Sequence, residues 1–371
     1  MKPNAKLSII LPVFNGEKYI ENTINNIINS SYKNLELLLI DDGSTDSSYE
    51  ICKICAASNN KIQLFHKKNG GIADARNYGL DHATGEYIAF CDQDDEIDCD
   101  MYQRMMDRIL SDGSQAVLCG CYRKKKNGKK IIYERYEDKI YNKEQIKNEL
   151  FFPMMFRGFE VYTNKEIIIY PTIWKCIIER KLIIEEHLKF FSFVSHEDDL
   201  IMMLQLFLKA DQISTLSDIL YCWNTNMESE TYHCRKKYHD NLEVKQQKLT
   251  NYIINEFEQS GIQRSIISEY NYVQQCHNVL ALLDNLTASN KESLFRIVKR
   301  LKRESSVIYI QITSDTVKPA KGFIRNTVVI PLIRKKYILI AFLLNICIDR
   351  IRFWVEKHYI AERIERMLKK R

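Results

Sequence analysis

Three carboxylates within four residues, Asp92-Gln93-Asp94-Asp95, follow the apolar run Tyr87–Cys91. Carboxylates packed this closely repel one another unless a cation or solvent screens them. Hard oxygen ligands at the end of a strand suit Mg²⁺ or Mn²⁺, above all where phosphate oxygens complete the shell. An acidic surface turn gives the same letters, so this cluster takes its meaning from its company. The second cluster is Asp41-Asp42-Gly43-Ser44-Thr45-Asp46. A carboxylate here can accept the imide N–H of a uracil ring, with Gly43 allowing the tight turn. The plain alternative is a turn followed by a helix cap at Asp46 or Ser47. In the third, Asn69-Gly70-Gly71, two glycines lead into a helix start, where backbone N–H groups favour anions. Arg76, in the first turns, is placed to reach a phosphate or to hold an aspartate of the site. The fourth, His196-Glu197-Asp198-Asp199, precedes an apolar helix. A carboxylate there is either a cap on that helix or a general base on an acceptor hydroxyl.

Chemistry at these clusters requires elements that bring them together. Leu7–Pro12 and Leu35–Ile40 are short apolar runs of the kind found in buried parallel strands. Ile62–Phe65 and Tyr87–Cys91 are two more. Between them, Glu17–Asn29, Ser47–Ser58 and Ile72–Ala83 carry helical signals, and Gly85 is placed to stop the last. Strand–helix repetition at this pace predicts right-handed crossovers and a mostly parallel α/β sheet flanked by helices. Ligands of such sheets bind at the carboxyl ends of the strands. Asn15, Asp41, Asp42, Asp92 and Asp94 all fall at such ends, along one edge. Farther on, Ala116–Tyr122 and Lys130–Tyr133 read as strands and Asp199–Ala210 as a helix. Helical signals dominate from about His233, clearest over Asn241–Glu258 and Ser268–Leu286. The division expected is a catalytic domain over 1–232 and a helical region over 233–371.

The net charge of +6 is unevenly placed. Lys299–Arg371 holds 18 Lys+Arg against 6 Asp+Glu, leaving the first 298 residues net acidic. A basic tail meets either something anionic or only solvent. Within it, Tyr337–Ile348 is apolar apart from Asn345 and is bracketed by Arg334, Lys335, Lys336, Arg350 and Arg352. It is too short for a bilayer, which needs about 20 residues. It suits a helix in a membrane interface beside anionic lipid, or a helix packed on the protein. The 11 Cys show no disulfide framework, and no signal peptide is seen at Met1–Ser8. Both point to a reducing cytosol. Cys52 and Cys55 share a helix face and read as core thiols.

Together the clusters resemble the family 2 glycosyltransferases of the GT-A fold. The likeness is close over about Lys6–Asp95, through Ser8–Asn15, Asp41–Asp46, Gly70-Gly71 with Ala75–Gly79, Thr84–Ile88 and Asp92–Asp95. It continues more loosely through Ile173-Trp174-Lys175, Glu197-Asp198 and Tyr221-Cys222-Trp223. The resemblance implies a GT-A (Rossmann-like) domain followed by a mainly helical region. It implies an inverting transfer of sugar from a nucleotide-sugar donor, UDP-linked on the uracil argument, to a hydroxyl of a glycan or lipid-linked saccharide. Pro12, Phe14 and Asp42 would hold the nucleoside. Arg76 would support the base or diphosphate, and Asp92 would face the ribose and the metal region. Asp94 would be the main ligand of Mn²⁺ or Mg²⁺, and Asp198 the catalytic base with Glu197 beside it. Two departures stand out. Asn224 follows Trp223 where the family often has Arg, and the run Glu197-Asp198-Asp199 leaves the base ambiguous by one position, with Asp198 preferred.

The expected setting is cell-surface polysaccharide synthesis, cytoplasmic and peripheral at the inner face of the cell membrane, with no nucleic acid. Two alternatives are a sugar-nucleotide nucleotidyltransferase and a non-catalytic membrane-associated scaffold. The first favours a Gly-rich, Lys-containing loop after the first strand, where this chain has Pro12-Val13-Phe14-Asn15-Gly16. The second has no use for two carboxylate clusters.

Overall fold

A computed structural model of the chain describes residues 5–125, 128–157, 159, 169–193, 198–226 and 241–288, with a few positions between 329 and 348. These residues form two compact units, Met1–Met154 with Asn164–Asn226, and Met155–Thr163 with Met227–Arg371.

The first unit opens with β1 (Leu7–Val13), α1 (Ile20–Ile28), β2 (Leu35–Asp41), α2 (Ser48–Ser58), β3 (Ile62–His66), α3 (Ile72–His82) and β4 (Tyr87–Phe90). It continues with β5 (Glu96–Ile97), α4 (Met101–Asp112), β6 (Ala116–Lys124), β7 (Lys130–Glu134) and β8 (Lys139–Asn142). Short helices α5 (Lys143–Gln145) and α6 (Phe152–Met155) flank a π-helical turn, Ile146–Phe151. β9 (Cys176–Glu179), α7 (Arg180–Glu185), α8 (Asp198–Lys209) and β10 (Gln212–Asn224) complete it. One sheet runs β3-β2-β1-β4-β9-β6-β10-β5, with β7 on β6 and β8 on β10. β1 and β2 are buried at every residue, as strands covered on both faces must be.

The parallel pattern holds for β3-β2-β1-β4 and returns for β6 and β10. β9 enters between those two parts antiparallel to both β4 and β6. The mixed, apolar stretch Pro171–Ile184 supplies it, followed at once by α7. β10 is thirteen residues long, and its pairing with β6 shifts register between Thr215 and Tyr221. Its polar residues and broken register hide it from periodicity.

β1 runs through Pro12 to Val13, one residue past the expected stop. Asp42 N–H donates to Val13 C=O at 2.8 Å and Cys91 N–H to Ile10 C=O at 3.1 Å. Odd residues of β1 thus face β2 and even ones face β4. Pro12, which has no N–H to give, faces the side where β4 has already ended at Phe90. Helix α1 starts at Ile20 rather than Glu17, because Asn15 takes a positive φ of 47° and turns the chain first.

Gly85 has a different role from the one expected. Helix α3 ends at His82, with Ala83 already extended. Gly85 instead lies against β1, donating its N–H to Ser8 Oγ at 2.8 Å.

The second unit contains α9 (Leu242–Gln259) and α10 (Arg264–Ala288). Phe257 packs on Tyr270 with ring centroids 4.8 Å apart, and Phe156 packs on Tyr270 at 5.9 Å. The expected tail helix, Tyr337–Ile348, lies largely outside the described residues. Among the described residues no helix is long and apolar enough to cross a membrane.

Gly85 provides a test of how the α3–β4 connection is built. A Cβ at Gly85 would meet Lys6 O and Ser8 N, both backbone, at 2.7 Å. Gly85→Val is expected to cost about 1–3 kcal/mol, read from urea unfolding midpoints. An unchanged midpoint would refute the close-approach account.

Candidate active site

Side chains lace together the three loops that end β1, β2 and β4. Gln93 pairs with the Phe14 backbone in both directions, accepting from its N–H at 3.0 Å and donating to its C=O at 2.9 Å. Asn15 Oδ1 accepts from Thr45 N–H at 2.8 Å, and Ser48 Oγ accepts from Gly16 N–H at 2.8 Å. Glu17 N–H donates to Asp46, and Ser47 N–H donates to Glu17. Phe14 is held at the strand end with 45% of its surface exposed, while Pro12 beneath it is buried. An exposed aromatic ring on a tightly braced backbone is suited to stacking against a planar base.

Asp42, at the end of β2, is buried and satisfied within the protein. Its carboxylate accepts from Lys67 Nζ at 2.6 Å, Gly70 N–H at 2.9 Å and Gly71 N–H at 2.7 Å. The helix-start N–H groups that the sequence offered to an anion thus receive the anion of Asp42. Three of about four acceptor positions on that carboxylate are filled. Lys67 also pairs with Asp74 on α3.

Arg76 is 2% exposed and holds three carboxylates. Nη1 donates to Asp198 Oδ2 at 2.6 Å and to Asp199 Oδ1 at 2.5 Å, and Nη2 donates to Asp92 Oδ1 at 2.9 Å. Of the two roles open to Arg76, the structure shows the second, holding aspartates. The clusters at 92–95 and 198–199 therefore adjoin. Burial, with Asp198 and Asp92 beside it, lifts the Asp199 carboxyl to about 7 against the pull of Arg76. The three carboxylates in turn push the Arg76 guanidinium further toward its charged form, against the effect of burial.

The loop after β4 divides its carboxylates. Asp95 is buried, accepting from Tyr221 Oη and Asn224 N–H, both at 2.8 Å. Burial first, then Asp94 and Asp92, raise its carboxyl well above the usual range. Asp94 Oδ2 accepts from Asn226 Nδ2 at 2.8 Å. Its carboxyl is also raised, by burial and by Asp92, with the Asn226 bond opposing. Asn224 Nδ2 donates to the Asp94 carbonyl at 2.8 Å. The residue that departs from the family pattern therefore braces the acidic loop. Asn15, Lys67, Gln93, Asp95, Tyr221, Asn224 and Asn226 were not assigned these roles from sequence. The loop partners at 221–226 lie about 130 positions along the chain, with no spacing signal to reveal them.

Asp94 has a neutral partner in Asn226 and Asp92 shares Arg76 with two other carboxylates, an excess of negative charge that a divalent cation would relieve, so these residues fit Mn²⁺ or Mg²⁺. One or two carboxylates suffice for such an ion when substrate phosphates supply the rest. Among the described residues, a group of three ligand-type side chains occurs instead at Asp98, Cys99 and Asp100, all exposed. Glu197 lies outside the described residues.

Residues 8–168 match the sequence model of glycosyl transferase family 2. The chain is 27% identical over 226 residues to glycosyltransferase EpsJ of Bacillus subtilis, covering 61% of this chain and 62% of that protein. It is 29% identical over 221 residues to the cholesterol galactosyltransferase of Borreliella burgdorferi, covering 58% and 59%. The alignments thus span about three-fifths of each of these relatives. Among solved structures, residues 1–349 of S. aureus TarS in complex with UDP-GlcNAc superpose with a TM-score of 0.58 at 19% identity, covering 93% of this chain and 92% of that one. The likeness establishes the GT-A fold of the sheet and its helices.

Two outcomes test the arginine cluster. Arg76→Gln leaves three carboxylates without their shared cation and is expected to cost about 3–5 kcal/mol in denaturant unfolding; a loss below about 1 kcal/mol would contradict the clamp. The second outcome concerns pH. In the fold Asp199 keeps its proton up to about pH 7, whereas unfolded it releases it near 4. The folded state then binds more protons between those values, so this group's contribution to stability falls as pH rises from about 4 to about 7. Asp199→Asn should flatten that stretch of the stability profile, and an unaltered slope counts against the raised carboxyl.

Proposed function

We propose that this chain, whose residues 8–168 belong to glycosyl transferase family 2, transfers a sugar from a UDP-sugar to a hydroxyl of a glycan or lipid-linked saccharide, with inversion at the anomeric carbon. The observation that carries the proposal is the joining of Asp92 to Asp198 and Asp199 through one buried arginine. It sets carboxylates suited to a donor diphosphate beside carboxylates suited to an acceptor hydroxyl. The chemistry is assigned to residues 1–232.

The nucleoside end falls to Phe14, exposed for stacking, with Pro12 beneath it. Asp42 holds the Lys67–Gly71 loop as the facing wall, with about one acceptor position left for a base N–H. Asp94, with Asp92 beside it, would hold Mn²⁺ or Mg²⁺, which would supply positive charge against a leaving diphosphate. Arg76 keeps Asp92 and Asp198 in register. Asp198 begins α8, and only its Oδ2 is engaged by the described residues. Its Oδ1 takes the acceptor proton as the hydroxyl oxygen attacks the face opposite the leaving group. The anomeric centre passes through an oxocarbenium-like transition state. One displacement inverts it, and no enzyme nucleophile takes part. Asp199 is already bound by Arg76 and by Ile173 N–H at 3.2 Å. It is therefore a positioning group, and the base is Asp198.

Asp198→Asn is expected to lower transfer by at least 10²-fold while UDP binding persists. Asp199→Asn should retain most of its turnover. Comparable losses in both variants would remove the distinction, and full activity of Asp198→Asn would remove the base. Excess EDTA should abolish turnover, with Mn²⁺ or Mg²⁺ restoring it; activity that survives chelation would end the metal assignment.

A further inference from the structure

Trp223, near the end of β10, belongs to an aromatic group that the donor chemistry does not use. Its ring lies 5.4 Å from that of Tyr133 on β7, and Tyr133 stacks on Tyr170 at 4.0 Å and 22°. Arg123, its register partner on β6, sets its guanidinium 4.8 Å from the indole centroid. Trp223, Arg123, Tyr133 and Tyr170 are all half-buried.

The group is held rigidly from below. Lys175 and Glu134 form an ion pair that is wholly buried. Lys175 Nζ donates to both Glu134 oxygens at 2.6 Å and to the Tyr170 carbonyl at 2.7 Å. Tyr170 N–H donates to Glu134 at 3.3 Å. Ordering these rings costs little further entropy on binding, as a preformed platform requires.

Its place in the fold is equally informative. Phe14 and Asp42 sit at the ends of β1 and β2, the acidic loop follows β4, and the aromatic group lies on the far side, across β6 and β10. Trp223 is next to Asn224, which braces Asp94 and Asp95. Tyr170 is three residues, at most about 10 Å of chain, from Ile173, whose N–H meets Asp199. The platform thus adjoins both the metal loop and the helix that carries the base, opposite the nucleoside end.

Arg123 adds charge. It donates through Nε to Thr225 at 3.2 Å, and among the described residues no carboxylate pairs with it. Lys124 beside it is paired with Glu96. The stretch Arg123–Lys130 holds six basic residues and no acidic one, giving a local field that draws anions.

We propose that Trp223 and Arg123, backed by Tyr133 and Tyr170, form the acceptor subsite, and that it takes an anionic pyranoside. The C–H face of the sugar ring lies on the indole, and a phosphate or carboxylate on that sugar meets the guanidinium. The proposal rests on the transfer reading above, and its test separates the two.

With UDP saturating the donor site, saturation-transfer NMR titrations of the full chain use methyl glucoside, methyl glucuronide and glucose 6-phosphate. The anionic probes should bind about 10-fold tighter than the glucoside, and whichever of them is tighter identifies carboxylate or phosphate. Trp223→Ala should weaken all three about 10-fold, and Trp223→Phe should restore most of that loss. Arg123→Gln should erase the anionic preference while leaving the glucoside where it was. UDP binding, measured in the same samples, reports separately on the donor reading and on folding. Failure of all three sugars to bind, equal binding by Trp223→Ala, or an anionic preference that survives Arg123→Gln each overturns the subsite.

Discussion

A buried guanidinium must be surrounded by negative charge, and one end of this sheet is organised around that requirement. Arg76 sits on α3, Asp92 follows β4, and Asp198 and Asp199 open α8. A charge with 2% exposure has given up its water, and only close, well-aligned carboxylates repay the loss. The planar fork of arginine reaches several acceptors at once, which an ammonium cannot do in the same geometry. Each element carrying one of these groups is fixed with respect to the others as long as the pairing holds. Three elements, one of them 122 residues along the chain from Arg76, therefore share one electrostatic constraint. The π face of Phe190, 5.3 Å from the guanidinium, closes the remaining side.

The same economy operates at Asp42. A glycine-led helix start presents N–H groups that attract anions, and here the protein fills that position with its own carboxylate. Lys67 balances the charge and extends the link to Asp74 on α3. The loop from Lys67 to Gly71 is thereby fixed by contacts within the protein. Gly71 takes a φ of 87°, which a residue with a side chain rarely adopts, so the glycine serves the backbone path as well as the hydrogen bond.

The first ninety residues were legible because their physics is local. Apolar runs of strand length alternate with amphipathic helices, and the crossover rule then gathers the polar loops on one edge. Asp42, Asp92 and Asp94 fall where that rule sends them. Beyond α4 the rule has no purchase. β9 is four residues long and antiparallel, and β10 is a thirteen-residue strand broken in register. Their positions are set by what they pack against. Tyr221 is an example, its ring stacked on Trp174 at 4.1 Å while its hydroxyl reaches Asp95. Both contacts depend on tertiary placement that periodicity does not encode. Gly85 was misread for a related reason: a glycine after a helix reads as a stop, and only the neighbouring strand shows that it is needed for close approach.

Asp92-Gln93-Asp94-Asp95 shows how far identical letters diverge once folded. Asp95 turns inward to Tyr221 and Asn224 and secures the loop to β10. Gln93 turns the other way and secures it to Phe14. Asp92 is tied to Arg76 and so to α8, and Asp94 is held by a neutral amide, Asn226, which orients it without cancelling its charge. A lysine at 226 would have neutralised Asp94. A hydrogen bond from an amide fixes the rotamer and leaves the charge available. The loop thus has two anchors, one link to α8 and one oriented carboxylate.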